Sequence, residues 1–125
     1  MSLPSRFLTS GVIMNDVVVN TATTTNSEIL DISHAKHIGL DVFINNTGMD
    51  GNIEVEVCND LTVTTPNWVP IELSTGSTKV AIVNATNIND FYDLTDVAAK
   101  YMQVSIVSDD AGAGTVRIVA HTKKV

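Results

Sequence analysis

Several residue types are scarce in this chain of 125 residues. It contains one cysteine, three prolines, six aromatic residues and seven basic residues. The single cysteine, Cys58, excludes an intramolecular disulfide. The few lysines and arginines are scattered, and 14 acidic residues leave a formal net charge of −7. Nucleic acids and anionic membrane surfaces both require clustered cations, so the composition predicts a protein that binds neither.

Long hydrophobic runs are also missing, and none approaches the length of a membrane span. The first residues, Met1 to Arg6, lack the basic start and the apolar run of a signal peptide. We therefore expect a soluble protein that is made in a cytoplasm.

Residues that favour helices are rare, whereas β-branched residues are abundant. Lysine and glutamate together number 9, while valine, isoleucine and threonine contribute 17, 11 and 15 residues, or 43 of 125. Stiff β-branched side chains favour strands over helices. The length suits one domain whose core is large enough to be stable without a disulfide, metal or cofactor. The composition predicts a single all-β domain.

Short strands separated by turns recur at about ten-residue spacing. This pattern is typical of a β-sandwich or jelly roll, here of about eight mainly antiparallel strands. Residues 1–15 are predicted to form an extended N-terminal arm, because Pro4 and Gly11 interrupt any regular pattern. The β-sandwich domain is predicted to span residues 16–125.

Two pairs of alternating segments predict β-hairpins. His37–Asn45 and Asn52–Asn59 flank a turn rich in residues that tolerate positive φ, and each carries apolar residues at every second position. Tyr101–Val107 and Thr115–His121 flank a glycine-rich turn in the same way. We expect each pair to form neighbouring strands of one sheet.

Constellations that carry catalysis are not apparent, so the sequence predicts a protein without enzymatic activity. Ser105 and Ser108 have no nucleophile-elbow glycines around them, and Cys58 has no cationic neighbour to favour its thiolate. Glu54 and Glu56 are candidates for a catalytic pair of carboxylates because they share a strand face. Any two residues at i, i+2 spacing on a strand share a face, so this arrangement does not indicate a catalytic site.

Two weaker binding features involve acidic and aromatic residues. Asp90, Asp93 and Asp96 are candidate calcium ligands, since calcium prefers several oxygen ligands, although acids of this kind are also common in the turns of β proteins. Rings that stack on sugar faces are the other feature, and the candidate glycan contacts are Trp68, Tyr92 and Tyr101.

Apolar residues at outward positions of well-patterned strands predict an interaction surface, unless a loop or the arm covers them. These positions are Phe43, Val107 and Val119. The predicted arm adds four apolar side chains to the interface, namely Phe7, Leu8, Val12 and Ile13. Because apolar strand faces often pair by symmetry, a homo-oligomer, either a dimer or a trimer, is expected.

Three pieces of the chain together resemble small virion proteins of tailed bacteriophages. The first is the start, Leu3 to Val12, with a Pro-x-Arg-Phe stretch before Ser-Gly-Val. The second runs from Glu54 to Asp60 and resumes with Asn-Trp-Val-Pro at residues 67–70. The third comprises residues 91–94, 100–104 and 113–116. Cys58 stands where serine is commoner in those proteins.

This resemblance implies a virion structural protein, most simply a capsid decoration (cement) protein or a head or tail accessory component. The implied partners are the major capsid protein or other virion proteins, and the implied location is the virion. It supplies no catalytic residue. The alternative is a tail or head appendage that binds host glycan.

Overall fold

The computed structural model describes residues 7–20, 22–73, 76–109 and 112–123, with the backbone alone over residues 7–10. Ten β-strands lie within these ranges, and they form two antiparallel sheets. Over the same ranges, no helix has the length and apolar character needed to cross a membrane. The structure confirms the predicted all-β sandwich, with ten strands rather than about eight.

The first sheet, sheet A, contains four strands, and each is antiparallel to its neighbours. In spatial order they are β1 (Phe7–Val19), β10 (Gly114–Lys123), β4 (His37–Asn46) and β8 (Ile88–Thr95).

The second sheet, sheet B, is built around two long central strands, β9 (Tyr101–Ser108) and β5 (Gly51–Cys58). Four shorter strands flank this pair, two on each side. Beside β9 lie β2 (Thr24–Asn26) and β3 (Leu30–Asp31), and beside β5 lie β6 (Val69–Ile71) and β7 (Val80–Ile82).

The core fills the space between the two sheets. On β4, the side chains of Ile38, Leu40, Val42 and Ile44 are buried, as the alternation predicts. Sheet B contributes buried side chains to the same cluster from β5 and β9, among them Ile53, Val55, Met102, Val104 and Ile106. Each sheet therefore has one face in the core. The other face of sheet A is open to solvent at many positions, whereas outward residues of sheet B such as Gln103 and Ser105 are buried.

Both predicted hairpins are wrong. The strand β4 pairs with β10 and β8 in sheet A, whereas β5 pairs with β9 in sheet B. The strand β9 likewise belongs to sheet B and β10 to sheet A. Each connection therefore crosses from one sheet to the other. Alternation identifies the face of a strand that is buried, but it does not identify the neighbouring strand. Two strands that each have one apolar face can bury these faces as neighbours in one sheet or as members of two sheets that pack against each other.

The side chain of Asn46 holds the β4–β5 connection in place. Its Nδ2 donates hydrogen bonds to the carbonyl oxygens of Met49 (2.8 Å) and Val83 (2.7 Å). Its Oδ1 accepts hydrogen bonds from the backbone N–H groups of Gly48 (3.0 Å) and Met49 (2.6 Å). A buried amide thus replaces the backbone pairing that a tight hairpin turn would supply.

The predicted arm is corrected for residues 7–15. These residues belong to β1, which pairs with β10 from Phe7 opposite Lys123 to Val19 opposite Gly114. Register shifts interrupt the pairing, and Asp16 adopts a positive φ of 48° where two residues bulge between Met14 and Val17. Bulges conceal the period-two pattern, which is why the sequence looked irregular here. Residues 1–6 lie outside the described residues.

Candidate interaction surface on sheet A

The outer face of sheet A presents a row of residues across all four strands. Val12, Val119, Asp41 and Phe91 are successive register partners on β1, β10, β4 and β8. Side chains on one face of a sheet repeat every second residue, so residues two away from these share the surface. The face divides into an apolar part on β1 and β10 and a mixed part on β10, β4 and β8. In the apolar part, the exposed Arg117 of β10 lies between the pair Val12 and Val119 and the more distant Val18.

The apolar part, here called the β1 strip, consists of Val12, Val18 and Val119. Val12 is 37% exposed and Val18 is 62% exposed, while Val119, opposite Val12, is partly buried. Most of the other apolar side chains described in β1 face the core, including the buried Ile13 and Met14. The strand β1 therefore has apolar side chains on both faces, and the valines on its outer face are in contact with solvent.

The mixed part, here called the Phe91 groove, is a shallow depression of about 530 Å³. Three strands line it through outward positions two residues apart, namely His37, Gly39 and Asp41 on β4, Phe91 and Asp93 on β8, and His121 and Lys123 on β10.

Gly39 forms the base of the Phe91 groove. A Cβ at this position would lie 2.9 Å from both Cε1 and Cζ of Phe91, so the ring occupies the space that a side chain would otherwise fill. The Phe91 side chain nevertheless remains 58% exposed. Because Gly39 has no Cβ, the edge of the Phe91 ring fits against the sheet at this position. Much of the surface of the ring stays in contact with water.

Polar groups surround the ring. The Nε2 atom of His121 lies 3.2 Å from Oδ2 of Asp41, and both side chains are about one-third exposed. At the end of the groove, Nδ1 of His37 is 3.4 Å from Oγ1 of Thr95. The groove therefore offers an apolar surface next to both hydrogen-bond donors and acceptors.

The predicted interface residues do not all lie on one surface. Phe43 and Val119 are on the outer face of sheet A, and Val12 joins them there. Val107 instead pairs with Asn52 in sheet B, on that sheet's outer side. Ile13 is only 7% exposed and packs in the core, so its assignment to an interface is wrong. The bulges in β1 shift its phase and turn Ile13 inward. The side chains of Phe7 and Leu8 lie outside the described residues.

Phe91 and Gly39 were missed as site residues. The inward positions of β8 include a carboxylate, Asp90, which pairs with Val42, so this segment lacks the apolar alternation that marks a strand. The usable signal was the alternation of Asn89, Phe91 and Asp93, which places one large apolar residue among polar ones on an outward phase.

The calcium candidates are not brought together. Asp90 and Asp93 lie three residues apart on β8 and therefore project from opposite faces. Asp96 follows the strand with a positive φ of 57°, and its N–H donates to the carbonyl oxygen of Lys36 at 3.0 Å. Within the described ranges, no group of three histidine, cysteine, aspartate or glutamate side chains is arranged to hold a metal ion.

The three candidate glycan rings lie on different parts of the molecule. Tyr92 is on β8 of sheet A and packs against the core. Tyr101 begins β9 in sheet B, where it pairs with Cys58. Trp68 directly precedes β6, on the other side of β5 from Tyr101. Tyr92 is therefore separated from the other two rings, and a glycan contact through Trp68 and Tyr101 stays a prediction.

Tyr92 has an electrostatic environment of its own. Burial of the ring, followed by the nearby charge of Asp90, raises the pKa of Tyr92 to about 12. Its hydroxyl donates a hydrogen bond to Oδ2 of Asp90 at 3.2 Å. Both effects favour the neutral phenol, which indicates a structural role at the margin of the core.

No protein-family model matches this sequence, and neither does any curated protein. The backbone is similar to that of several solved structures. A chain of the IBDV viral particle aligns with a TM-score of 0.59 and 10% identity, over 95% of this chain and 31% of that chain. The enzymatically active domain of bacteriophage CBA120 tailspike protein 4 aligns with a TM-score of 0.53 and 18% identity, over 84% of this chain and 15% of that chain.

A third similar structure is a variant of a family 29 carbohydrate binding module. It aligns with a TM-score of 0.53 and 9% identity, and the alignment covers 91% of both chains. The protein thus spans nearly the whole of the module but only a minor part of the viral and phage chains. The β-sandwich fold of this chain is shared with viral capsid, phage and carbohydrate-binding proteins.

Proposed function

We propose that this protein is a non-enzymatic structural component of a tailed-phage virion, and that it decorates the capsid by binding the major capsid protein through the β1 strip. The observation that supports this role is the exposure of Val12 and Val18 on a long edge strand of sheet A. Apolar side chains at an interface centre, surrounded by polar residues, are typical of protein–protein contacts.

The strip suits a contact that is weak for each copy and strong for the assembled particle. Burying a largely exposed valine stabilises a complex by about 1 kcal/mol, before the cost of ordering the partners. Of the three valines, only Val18 is largely exposed, so the strip gives a modest contact. Many copies on one shell, linked to one another by the expected dimer or trimer contact, would strengthen it through avidity.

The fold is compatible with a capsid-binding role, but the same fold also occurs in proteins with other roles. A sandwich closed on its inner side presents two outer sheet faces, and a structural protein uses such faces to bridge neighbours. The resemblance of the N-terminal, central and C-terminal sequence pieces to small phage virion proteins favours the virion over other assemblies. The glycan-binding appendage remains the alternative, and it predicts a ligand rather than a shell as the partner.

Co-sedimentation with purified shells that lack the protein tests the proposal. We expect wild-type protein to pellet with shells, and the Val12→Ser, Val18→Ser double variant to lose most of this binding. The matched control is Val69→Ser, because Val69 is 47% exposed on β6 of sheet B. Thermal unfolding of each variant checks that the exposed substitutions leave the fold intact.

Three results would contradict the proposal. Wild-type protein that fails to pellet with shells, or that is absent from purified particles by mass spectrometry, would exclude a decoration role. Equal loss of binding in Val69→Ser and in the double variant would show that the β1 strip is not the contact.

A further inference from the structure

We infer that the Phe91 groove is a binding site for a neutral saccharide. This site shares no residue with the β1 strip, which adjoins it where Val119 is opposite Asp41, and the inference does not depend on the proposed capsid role. It also differs from a glycan contact through Trp68 and Tyr101, which belong to sheet B and the segment next to it.

The aromatic ring of Phe91 is positioned to stack on a ligand. Phe91 is 58% exposed, although its Cε1 and Cζ atoms rest against the backbone at Gly39. A ring that is supported on one side loses little rotational freedom when a ligand covers the other side. The apolar C–H face of a pyranose ring is flat and of similar size, and it meets the negative face of an aromatic ring through its weakly positive hydrogens.

Polar groups that accept and donate hydrogen bonds line the groove around the ring. Asp41 lies two residues from Gly39 on β4, and Asp93 is the register partner of Gly39 on β8. Each carboxylate accepts several hydrogen bonds. Lys123 adds a donor at the end of the groove. Saccharide hydroxyls both donate and accept, so a sugar satisfies acceptors and donors placed around one apolar surface. A purely apolar ligand would leave these groups desolvated and unpaired.

The charge of the groove favours neutral saccharides over anionic ones. The groove contains two carboxylates and one lysine, and the whole chain carries a formal charge of −7. A sialylated, sulfated or phosphorylated ligand would approach through a repulsive field. The Nε2 atom of His121 lies 3.2 Å from Oδ2 of Asp41, so an anion that approached His121 would also approach this carboxylate. A neutral hexose or N-acetylhexosamine unit meets no such repulsion.

The size of the groove agrees with a short saccharide. Ligand sites in proteins range from about 300 to 1,000 Å³, and the Phe91 groove has about 530 Å³. It crosses three strands and is open along its length, so a longer chain can extend beyond it. We therefore expect the groove to bind one or two sugar units, which lie either at the end of an oligosaccharide or within it.

A glycan array tests the inference, because multivalent display detects weak binding. The array carries neutral oligosaccharides of glucose, galactose, mannose, xylose and N-acetylglucosamine, with sialylated and sulfated oligosaccharides as the anionic arm. We expect binding to at least one neutral series. The best neutral oligosaccharide is then titrated in solution, and the amide resonances of residues 39, 93 and 121 are followed by NMR.

Three variants and one control make the test specific. We expect Phe91→Ala to weaken binding about tenfold, and Asp93→Asn to weaken it less. Gly39→Ala retains every other lining side chain but places a Cβ where the ring lies, so it displaces the ring and weakens binding as well. The control is Val83→Ala, because Val83 is also 58% exposed but lies after β7, outside sheet A.

Several outcomes would overturn the inference. These are the absence of binding to any neutral oligosaccharide on the array, binding confined to the anionic arm, and binding that Phe91→Ala leaves unchanged. Loss of shell binding in Phe91→Ala without any saccharide binding would assign the groove to a protein contact instead. Failure of the capsid proposal leaves the array result unaffected, since the array uses the isolated protein.

Discussion

Gly112 packs directly against the backbone of Gly48, at the point where the two sheet-crossing connections meet. A Cβ on Gly112 would collide with the carbonyl group of Gly48. Backbone hydrogen bonds join the same connections on both sides of this contact, from the N–H of Thr47 to the oxygen of Ala113 (3.0 Å) and from the N–H of Asp109 to the oxygen of Asp50 (2.8 Å). Two chain segments remote in sequence thus close one end of the sandwich.

The first prediction follows from this contact. Gly112→Ala forces the two connections apart because both colliding groups are backbone, and it should lower the free energy of unfolding by about 3 kcal/mol or more. Urea denaturation followed by circular dichroism measures the change. The matched control is Gly11→Ala, since a Cβ on Gly11 meets no atom within 4 Å. Equal stability of the two variants would contradict the close approach.

The second prediction concerns the amide of Asn46. Asn46→Ala removes the four hydrogen bonds that the amide makes with backbone groups of Gly48, Met49 and Val83. These groups lose their partner, so we expect the free energy of unfolding to fall by about 3 kcal/mol. The neighbouring Asn45→Ala is the control, because the side chain of Asn45 is exposed on the same strand. Denaturant midpoints of the two variants provide the comparison, and a loss in Asn45→Ala as large as that in Asn46→Ala would contradict the role of the amide.

The third prediction uses the single thiol. Cys58 is 5% exposed, so its reaction with a thiol reagent should be slow in the native protein and fast in urea. An exposed thiol is the control, provided by Val83→Cys in a Cys58→Ser background, which should react at once without denaturant. Rapid native labelling of Cys58 would show that this end of sheet B opens readily.

Sequence alone predicted the buried faces of the regular strands β4, β5, β9 and β10 but not their partners. The alternation in β4 identifies Leu40 and Val42 as core residues, because a period of two depends only on the strand itself. The partner of β4 depends on whether the β4–β5 connection turns back within sheet A or crosses to sheet B. The hydrogen bonds of Asn46 and the contact between Gly48 and Gly112 determine which of the two occurs. These contacts join residues far apart in the chain, so no local pattern reports them.

The candidate surface was predictable in part for the same reason. Val119 and Phe43 were identified because their strands are regular, whereas Ile13 was misassigned because bulges shift the phase of β1. The Phe91 groove depends on Gly39 and Phe91 being diagonal neighbours on adjacent strands. Such a neighbourhood exists only once register is known, since a slip of one residue would turn Phe91 to the core.

The fourth prediction is a loss of stability in alkali that depends on Tyr92. Its pKa in the folded protein is about 12, above the ordinary value of 10.0, because burial and Asp90 favour the neutral phenol. A raised pKa means that the contribution of Tyr92 is fully present below pH 10 and is lost as the pH rises from 10 through 12. Tyr92→Phe cannot ionise, so it should lose less stability than wild type between about pH 8 and about pH 11, measured by urea denaturation. Tyr101→Phe is the control, and it should lose as much as wild type. If Tyr92→Phe declines as steeply as wild type over this interval, the phenol of Tyr92 is not held neutral by the fold.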